Sequence, residues 1–446
     1  MASLSTQPYK GTRDYYPEDK RVQDYIFNTW RKVVERYGYQ EYGAPTLEPV
    51  ELYAAKSGEE LVGEQTYQFK DRGDRTVAIR PEMTPSISRM VAARRQELGY
   101  PARLYSIANF MRYERPQRGR EREFWQLNAD IFGVDSVRAD AEIIEIADDV
   151  MKSFGAKDEM YTIRVNHRGL VDAVMKNYLG LDKEKAHKLI KLLDKKDKMS
   201  ADDFAKAAAE IVEKKAVLSK LSTLVRVKTL DEMPEELQKT DAFSQLSDLL
   251  DNLKSAKITN AKFDMTLMRG FDYYTGMVFE IFDLHPDNNR AMFGGGRYDG
   301  LVGLFGVDSV ATVGFAPGLT STELFLKSHK LLPKLLPATE IGIVVIDDKV
   351  DEAMAIAREL RSEGVNTEVD YTGRKLDKQI KALVKKDVPY MLFVGSKEVQ
   401  EEIYTFKDVN TTDEEKLSLE RVISRVKDHR SKSINPDPDD DIFSEE

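Results

Sequence analysis

The run Phe110-Met111-Arg112-Tyr113-Glu114-Arg115-Pro116, the loop from Gln117 to Glu123, and the run Phe124-Trp125-Gln126-Leu127-Asn128-Ala129-Asp130-Ile131-Phe132-Gly133 form one unit. Apolar character alternates in both arms, which predicts two strands joined as a long hairpin. The loop between them carries Arg118, Arg120 and Arg122. So charged a loop stays in water, and its arginines suit an anionic partner; the plainer reading is a solvated loop. Further along stand Arg269-Gly270-Phe271-Asp272-Tyr273-Tyr274-Thr275-Gly276 and Gly294-Gly295-Gly296-Arg297-Tyr298-Asp299-Gly300. An arginine fork donates bidentate hydrogen bonds to phosphate or carboxylate and stays charged at any working pH. Consecutive glycines let a ligand approach the main chain. The two runs read as a pocket for an anionic ligand with an aromatic wall, or, more blandly, as a bulged strand pair in a core.

Composition sets bounds around these motifs. With 446 residues, 41% of them hydrophobic, the chain is too long for one core and two or three domains are expected. It has no cysteine, which excludes disulfides, thiolate chemistry and cysteine-based zinc sites. A polar amino terminus and the lack of any long apolar run predict a soluble, cytoplasmic protein that does not enter a membrane. The formal net charge is −10, but Asp437 to Glu446 hold six carboxylates and no base, which leaves −4 for the rest. That tail, with Pro436 and Pro438, reads as an acidic disordered segment over 431–446.

Spacing organises the remainder. Asp24 to Tyr37 has helical periodicity, and Ser136 to Phe154 has it more strongly, with Ser136 or Asp140 as the cap. Tyr161 to Val165 alternates like a strand. From Gly169 to about Lys254 lysine-rich and leucine-rich helical segments predict an inserted helical domain, whose basic run Lys183 to Lys198 is a solvated face or a phosphate contact. After Pro337, strands over 341–346, 365–370 and 390–394 alternate with helices over 350–363 and 376–384, and Gly364 is a C-cap candidate. This alternation predicts a small α/β domain around a largely parallel sheet.

The hairpin resembles motif 2 of the class II aminoacyl-tRNA synthetases, and the run from Arg269 resembles the signature peptide of the histidyl-tRNA synthetase family. Lys10-Gly11-Thr12-Arg13-Asp14-Tyr15 is similar to that family's opening peptide. Tyr37 to Pro49 is similar to motif 1, with Pro45 at the place of the dimer-seam proline. Ile79-Arg80-Pro81-Glu82-Met83-Thr84 is similar to the amino-acid-binding turn. The resemblance implies an α+β fold: a class II catalytic domain (1–335), an antiparallel sheet flanked by helices, interrupted by the helical insertion (169–255). An α/β anticodon-binding domain (338–430) follows.

It also implies ATP-dependent ligation of L-histidine to tRNA(His) through a histidyl-adenylate, with Mg2+ accompanying ATP, by a homodimer. Arg112 and Arg269 would clamp the α-phosphate and the carboxylate from two sides. Glu82, Thr84 and Gln126 would hold the α-amino group, Asp130 and Tyr274 the imidazole, and Tyr273 and Tyr298 the pocket wall. Glu114, Arg120, Phe124 and Gly318 would join the two arginines around ATP, and Arg118 and Arg122 would face the acceptor end of the tRNA. No metal ligand set is assigned.

Two departures from the family pattern stand out. Asp130 replaces a usual glutamate, which retracts the carboxylate by ~1.3 Å, about one backbone bond length. In Gly314-Phe315-Ala316-Pro317-Gly318-Leu319-Thr320-Ser321-Thr322, Thr320 and Ser321 replace the glutamate and arginine of motif 3. Loss of one charge-assisted phosphate contact corresponds to ~1.5 to 3 kcal/mol, or ~10- to 150-fold in affinity. Arg120 or magnesium is the expected compensation. The alternative is a noncatalytic relative, a histidine-sensing regulatory subunit of an ATP phosphoribosyltransferase. Such relatives typically lack the anticodon-binding domain and the signature peptide, both retained here.

Overall fold

A computed structural model describes residues 4–54, 61–193, 196, 199–267 and 273–433. Arg269 and the acidic tail from residue 434 onward lie outside the described residues. The chain divides into two compact units, Met1–Asp14 with Ile26–Leu332 and Tyr15–Tyr25 with Pro333–Glu446.

In the first unit the strands are β1 (Gln40–Glu41), β2 (Leu47–Pro49), β3 (Gln68–Lys70), β4 (Thr76–Ile79), β5 (Ala102–Met111), β6 (Glu123–Phe132), β7 (Tyr161–His167), β8 (Ala261–Phe263), β9 (Met277–Asp283), β10 (Arg290–Arg297) and β11 (Thr312–Phe315). Eight of them make one sheet in the order β1-β5-β6-β11-β10-β9-β7-β8. Its centre is antiparallel, and only the outermost pairs, β1 with β5 and β7 with β8, are parallel. A small sheet, β2-β4-β3, stands apart.

β5 and β6 pair in unbroken register from Ala102 opposite Phe132 to Met111 opposite Glu123, so the hairpin read from the sequence is present. Helix Val137–Lys152 supplies buried Ile143, Ile146 and Val150 to the core. Ser136 caps it, its hydroxyl accepting from the Arg138 amide at 3.2 Å, and Asp140 is used elsewhere. The helix expected from Asp24 begins earlier, at Pro17, because proline fits the first turn and Glu18 and Asp19 complement the helix dipole there. Residues 168–255 hold the helices Arg168–Ala173, Lys183–Leu193, Ala201–Val212, Lys215–Leu224 and Asp241–Ser255. The last of these packs on helix Val137–Lys152.

The second unit has β12 (Ile341–Val345), β13 (Thr367–Val369), β14 (Tyr390–Val394), β15 (Tyr404–Asp408) and β16 (Glu414–Leu417), ordered β13-β12-β14-β15-β16. The three strands anticipated from the sequence pair in parallel, but β15 and β16 add antiparallel ladders, so the sheet is mixed. β16 reads Glu-Glu-Lys-Leu and is exposed over its first three residues. A charged edge strand of this kind lacks apolar alternation and blunts edge-to-edge association. Helix Val350–Ser362 ends where Gly364 takes φ +77° and the Val365 amide reaches back to the Leu360 carbonyl at 2.9 Å, a left-handed C-terminal cap.

Candidate active site

The central sheet has a step in it, and that step makes the site. β11 ends at Phe315, opposite Ala129 of β6 and Gly295 of β10, and the chain then leaves for helix Leu319–Ser328. β6 and β10 run on past that point. A cleft of about 1340 Å³ opens between them, floored by the start of the helix.

Period-two alternation places Phe124, Gln126, Asn128 and Asp130 of β6 on one face, and all four line the cleft. Glu82 and Thr84 reach it from the turn between β4 and helix Thr84–Ala93. Arg112, just past β5, donates its Nε to the Pro81 carbonyl at 2.9 Å and lies over the Phe124 ring, 5.2 Å from its centroid. The arginine is thus fixed between the turn that carries Pro81 and Glu82 and the Phe124 ring. Gln126 donates to the Ala316 carbonyl at 3.1 Å. Glu114 meets Arg120 at 3.4 Å.

The deep end is aromatic and closed. Tyr273 packs edge-on against Tyr274 and Tyr298, with centroid separations of 5.0 and 5.7 Å. Tyr298 donates its hydroxyl to Asp130. Burial pushes the Asp130 carboxyl up to about 7, against the opposing pull of that bond. Burial together with the Asp130 charge holds the Tyr298 phenol well above its ordinary range, so the tyrosine is the donor. Gly314 faces Asp130 so closely that a β-carbon there would lie 1.9 Å from its Oδ1.

The glycine run of β10 also has a structural reason. A β-carbon on Gly296 would meet the Tyr274 ring at 2.9 Å, and one on Gly295 the Gly314 carbonyl at 2.2 Å. It is the protein that approaches these positions, although Gly294 and Gly295 also line the cleft.

The three loop arginines separate. Arg118 and Arg120 are at the surface, on a tip that turns through Gly119 at φ +77°. Arg122, expected to project with them, is buried. Its guanidinium stacks 4.1 Å above Tyr113 and donates to the Glu114 carbonyl and the Tyr9 hydroxyl, tying the amino-terminal peptide to the hairpin. The assignment of Arg122 to tRNA is therefore corrected to a structural one.

At the helix start Ser321 bonds back to the Gly318 carbonyl at 3.0 Å, and Thr320 donates to Glu121 at 2.9 Å. Pro45 sits beside Ala44, whose carbonyl accepts from buried Arg80 at 2.8 Å. Sequence reasoning missed Asn128, Glu280 and Arg290, which line the same cleft. The alternation that singled out Gln126 and Asp130 also selects Asn128, whose amide nitrogen is buried without a hydrogen-bond partner. Arg290 gave no local signal, since it belongs to none of the motifs. Among the described residues no group of three or more His, Asp or Glu side chains could hold a metal by itself, and no helix is long and apolar enough to cross a membrane.

Comparison with known proteins agrees with this geometry. A family model for histidyl-tRNA synthetase matches residues 11–321, and one for an anticodon binding domain matches 340–429. The histidine–tRNA ligase of Leptospira biflexa is 40% identical over 434 residues, covering 96% of this chain and 99% of that protein. The histidine–tRNA ligase of Pyrococcus abyssi is 34% identical over 428 residues, covering 94% and 98%. The crystal structure of histidyl-tRNA synthetase from Nostoc sp. PCC 7120 superposes with a TM-score of 0.81 at 20% identity, covering 96% of this chain and all of that one. A Bacillus halodurans structure described as an ATP phosphoribosyltransferase regulatory subunit/histidyl-tRNA synthetase has a TM-score of 0.71 at 24% identity, over 85% of this chain and 97% of its own. With the class II fold, the motif residues converging on one cleft, and a family match over most of its length, the chain belongs to the histidyl-tRNA synthetase family.

Proposed function

We propose that the protein joins L-histidine to ATP as histidyl-adenylate and then transfers the histidyl group to tRNA(His). The observation that carries this reading is the convergence of Glu82, Thr84, Arg112, Gln126, Asp130 and Tyr298 on one cleft. In the first step a histidine carboxylate oxygen attacks the α-phosphorus and pyrophosphate leaves. Two anions must be brought together while charge builds on the phosphate, and fixed cations are the remedy. Arg112 is held for that task by Pro81; Arg269 would approach from the opposite side. In the second step a ribose hydroxyl of the tRNA end attacks the acyl carbon and AMP leaves.

Glu82, Thr84 and Gln126 hold the α-amino group. Asp130 accepts from the imidazole N–H, with Tyr274 as its neighbour and Tyr273 and Tyr298 as the wall. An analogue without ring nitrogens would leave the buried Asp130 carboxyl with Tyr298 as donor but without the imidazole N–H, which is the basis of discrimination. Phe124 offers its face to adenine, and Glu114, Arg120 and Gly318 border the phosphates. Magnesium would enter as part of the MgATP substrate and offset phosphate charge, and Glu114 and Glu121, which line the cleft, are the carboxylates that would meet it.

Arg118 meets the acceptor end. Residues 1–335 act as the catalytic domain with 169–255 as its helical insertion, 338–430 reads the anticodon, and 431–446 is an acidic extension. Homodimerisation through 37–49 is supported by Pro45 and by the half-exposed Leu47 beside it. Action is cytoplasmic. The regulatory-subunit reading is not favoured, because relatives that align with nearly the whole chain are histidine–tRNA ligases.

Histidine-dependent exchange of pyrophosphate into ATP tests the reading. The wild type should exchange, and Arg112→Ala or Arg269→Ala should abolish exchange while leaving the fold intact. A folded wild-type protein that binds histidine and never exchanges pyrophosphate would refute it.

A further inference from the structure

The first turn of helix Leu319–Ser328 lacks the cation that the family places there, and the nearby cations of the helix are engaged. Arg13 and Lys327 both bind Glu323, at 2.7 and 2.6 Å. Across the cleft stands a different arginine. Arg290 opens β10, five residues beyond Gly295, where β10 has already outrun the end of β11. It therefore faces the gap that the helix start floors, and it lines the same cleft as Arg112, Arg120 and Ser321.

Its guanidinium is positioned by neutral groups only: Nε donates to Asn288 Oδ1 at 2.8 Å and Nη1 to the Arg118 carbonyl at 2.5 Å. Among the described residues no carboxylate pairs with it. A β-carbon on Gly119 would meet its Nη1 at 2.8 Å, so the glycine at the loop tip lets the two elements close on each other. Burial first, and then the charges of Arg118 and Arg120, make it harder to keep protonated, with Asp283 opposing at longer range. Three arginines gathered where, among the described residues, only Arg120 has a carboxylate partner within ion-pair distance form a like-charge cluster that a polyanion would relieve.

We infer that Arg290 supplies the positive charge for the β- and γ-phosphates of ATP that Ser321 cannot supply. The cation has moved from the helix floor to the opposite strand. This inference rests on the ATP-using reading above. It differs from compensation by Arg120, whose charge is already shared with Glu114.

Pyrophosphate exchange without tRNA, on the full chain, tests it. Arg290→Ala should raise the KM for ATP ~10- to 100-fold, the range of one charge-assisted contact, with the KM for histidine within about threefold. Inhibition by AMP, which lacks the outer phosphates, should be unchanged. Arg290→Lys should retain part of the affinity, and adding Ser321→Arg to Arg290→Ala should recover most of it. An unchanged KM for ATP overturns the inference, as does equal weakening of ATP and AMP, or failure of Ser321→Arg to rescue. If the wild type exchanges no pyrophosphate, the activity is refuted, and calorimetric titration of wild type and Arg290→Ala with ATP and AMP decides the role of Arg290 by the same criteria.

Discussion

Tyr298 donates its hydroxyl to Asp130 across 168 residues of chain, and the bond closes the deep end of the cleft with both groups buried. The carboxyl of Asp130 is raised to about 7 from 3.8, so between those values the folded chain holds a proton that the unfolded chain has released. Its contribution to stability is full below about pH 4, falls as pH rises, and is gone above about pH 7. Asparagine at 130 keeps an oxygen for Tyr298 and does not titrate. The stability of wild type relative to Asp130→Asn should therefore fall by on the order of 1 kcal/mol per pH unit from pH 5 to 7 and level off by pH 8. Denaturant titrations across that range measure it, and a flat difference would place Asp130 in the ordinary carboxylate range.

Arg297, in the glycine-rich run, is not a ligand group. Its Nε meets Asp140 at 2.9 Å and its Nη atoms meet the Val134 and Ser136 carbonyls at 3.1 Å, so it ties β10 to the start of helix Val137–Lys152. Burial lifts Asp140 to about 6 in spite of this partner. Removing one member of a buried pair strands the other, at a cost of ~3 to 5 kcal/mol. Arg297→Met should show a loss of that order in denaturant, and Arg297→Met with Asp140→Leu a smaller one. If the double variant is the less stable, a stranded Asp140 is not the source of the loss in Arg297→Met.

The basic hairpin loop gives a test that divides its arginines. The Arg118 side chain is exposed and donates to the Asp287 carbonyl at 3.3 Å. Arg118→Ala should weaken aminoacyl transfer to tRNA while pyrophosphate exchange stays within about twofold, and it should lower the salt slope of tRNA binding by about 1. Arg122→Ala should instead lower the melting temperature and impair both half-reactions, because it empties the stack on Tyr113. Equal loss in both half-reactions for Arg118→Ala would assign that residue to ATP.

The difference between these two arginines also marks the limit of what the sequence discloses. Alternation along β5 and β6 fixes register, face and the cleft-lining set from Phe124 to Asp130, because strand periodicity is local. Burial of Arg122 depends on Tyr9, more than a hundred residues away, and the ion pair of Arg297 depends on Asp140. No window of sequence contains either pair. The same holds for Asp140, which looks like a helix cap until Arg297 is seen beside it. Arg290 was illegible for another reason: its place in the cleft follows from β11 being shorter than β10, a property of the sheet and not of the residues around Arg290. β16 escaped because its edge position favours charge over apolar alternation.

Restoring the family's motif 3 pair separates two substitutions that the sequence treats as one. Ser321 lines the cleft, and its hydroxyl bonds back to the Gly318 carbonyl of its own helix turn, so arginine there can extend toward the phosphates. Thr320 differs: it donates to Glu121, whose carboxyl burial already pushes upward and whose neighbours include Glu323 and Glu123. Glutamate at 320 would remove that donor and add a like charge. Ser321→Arg alone should lower the KM for ATP severalfold. Thr320→Glu alone should raise it, and the double variant should gain less than Ser321→Arg. Pyrophosphate exchange at fixed magnesium checks all three. A double variant better than Ser321→Arg would mean that Arg13, which lowers the Glu121 carboxyl and binds Glu323, can neutralise a third carboxylate at the helix start.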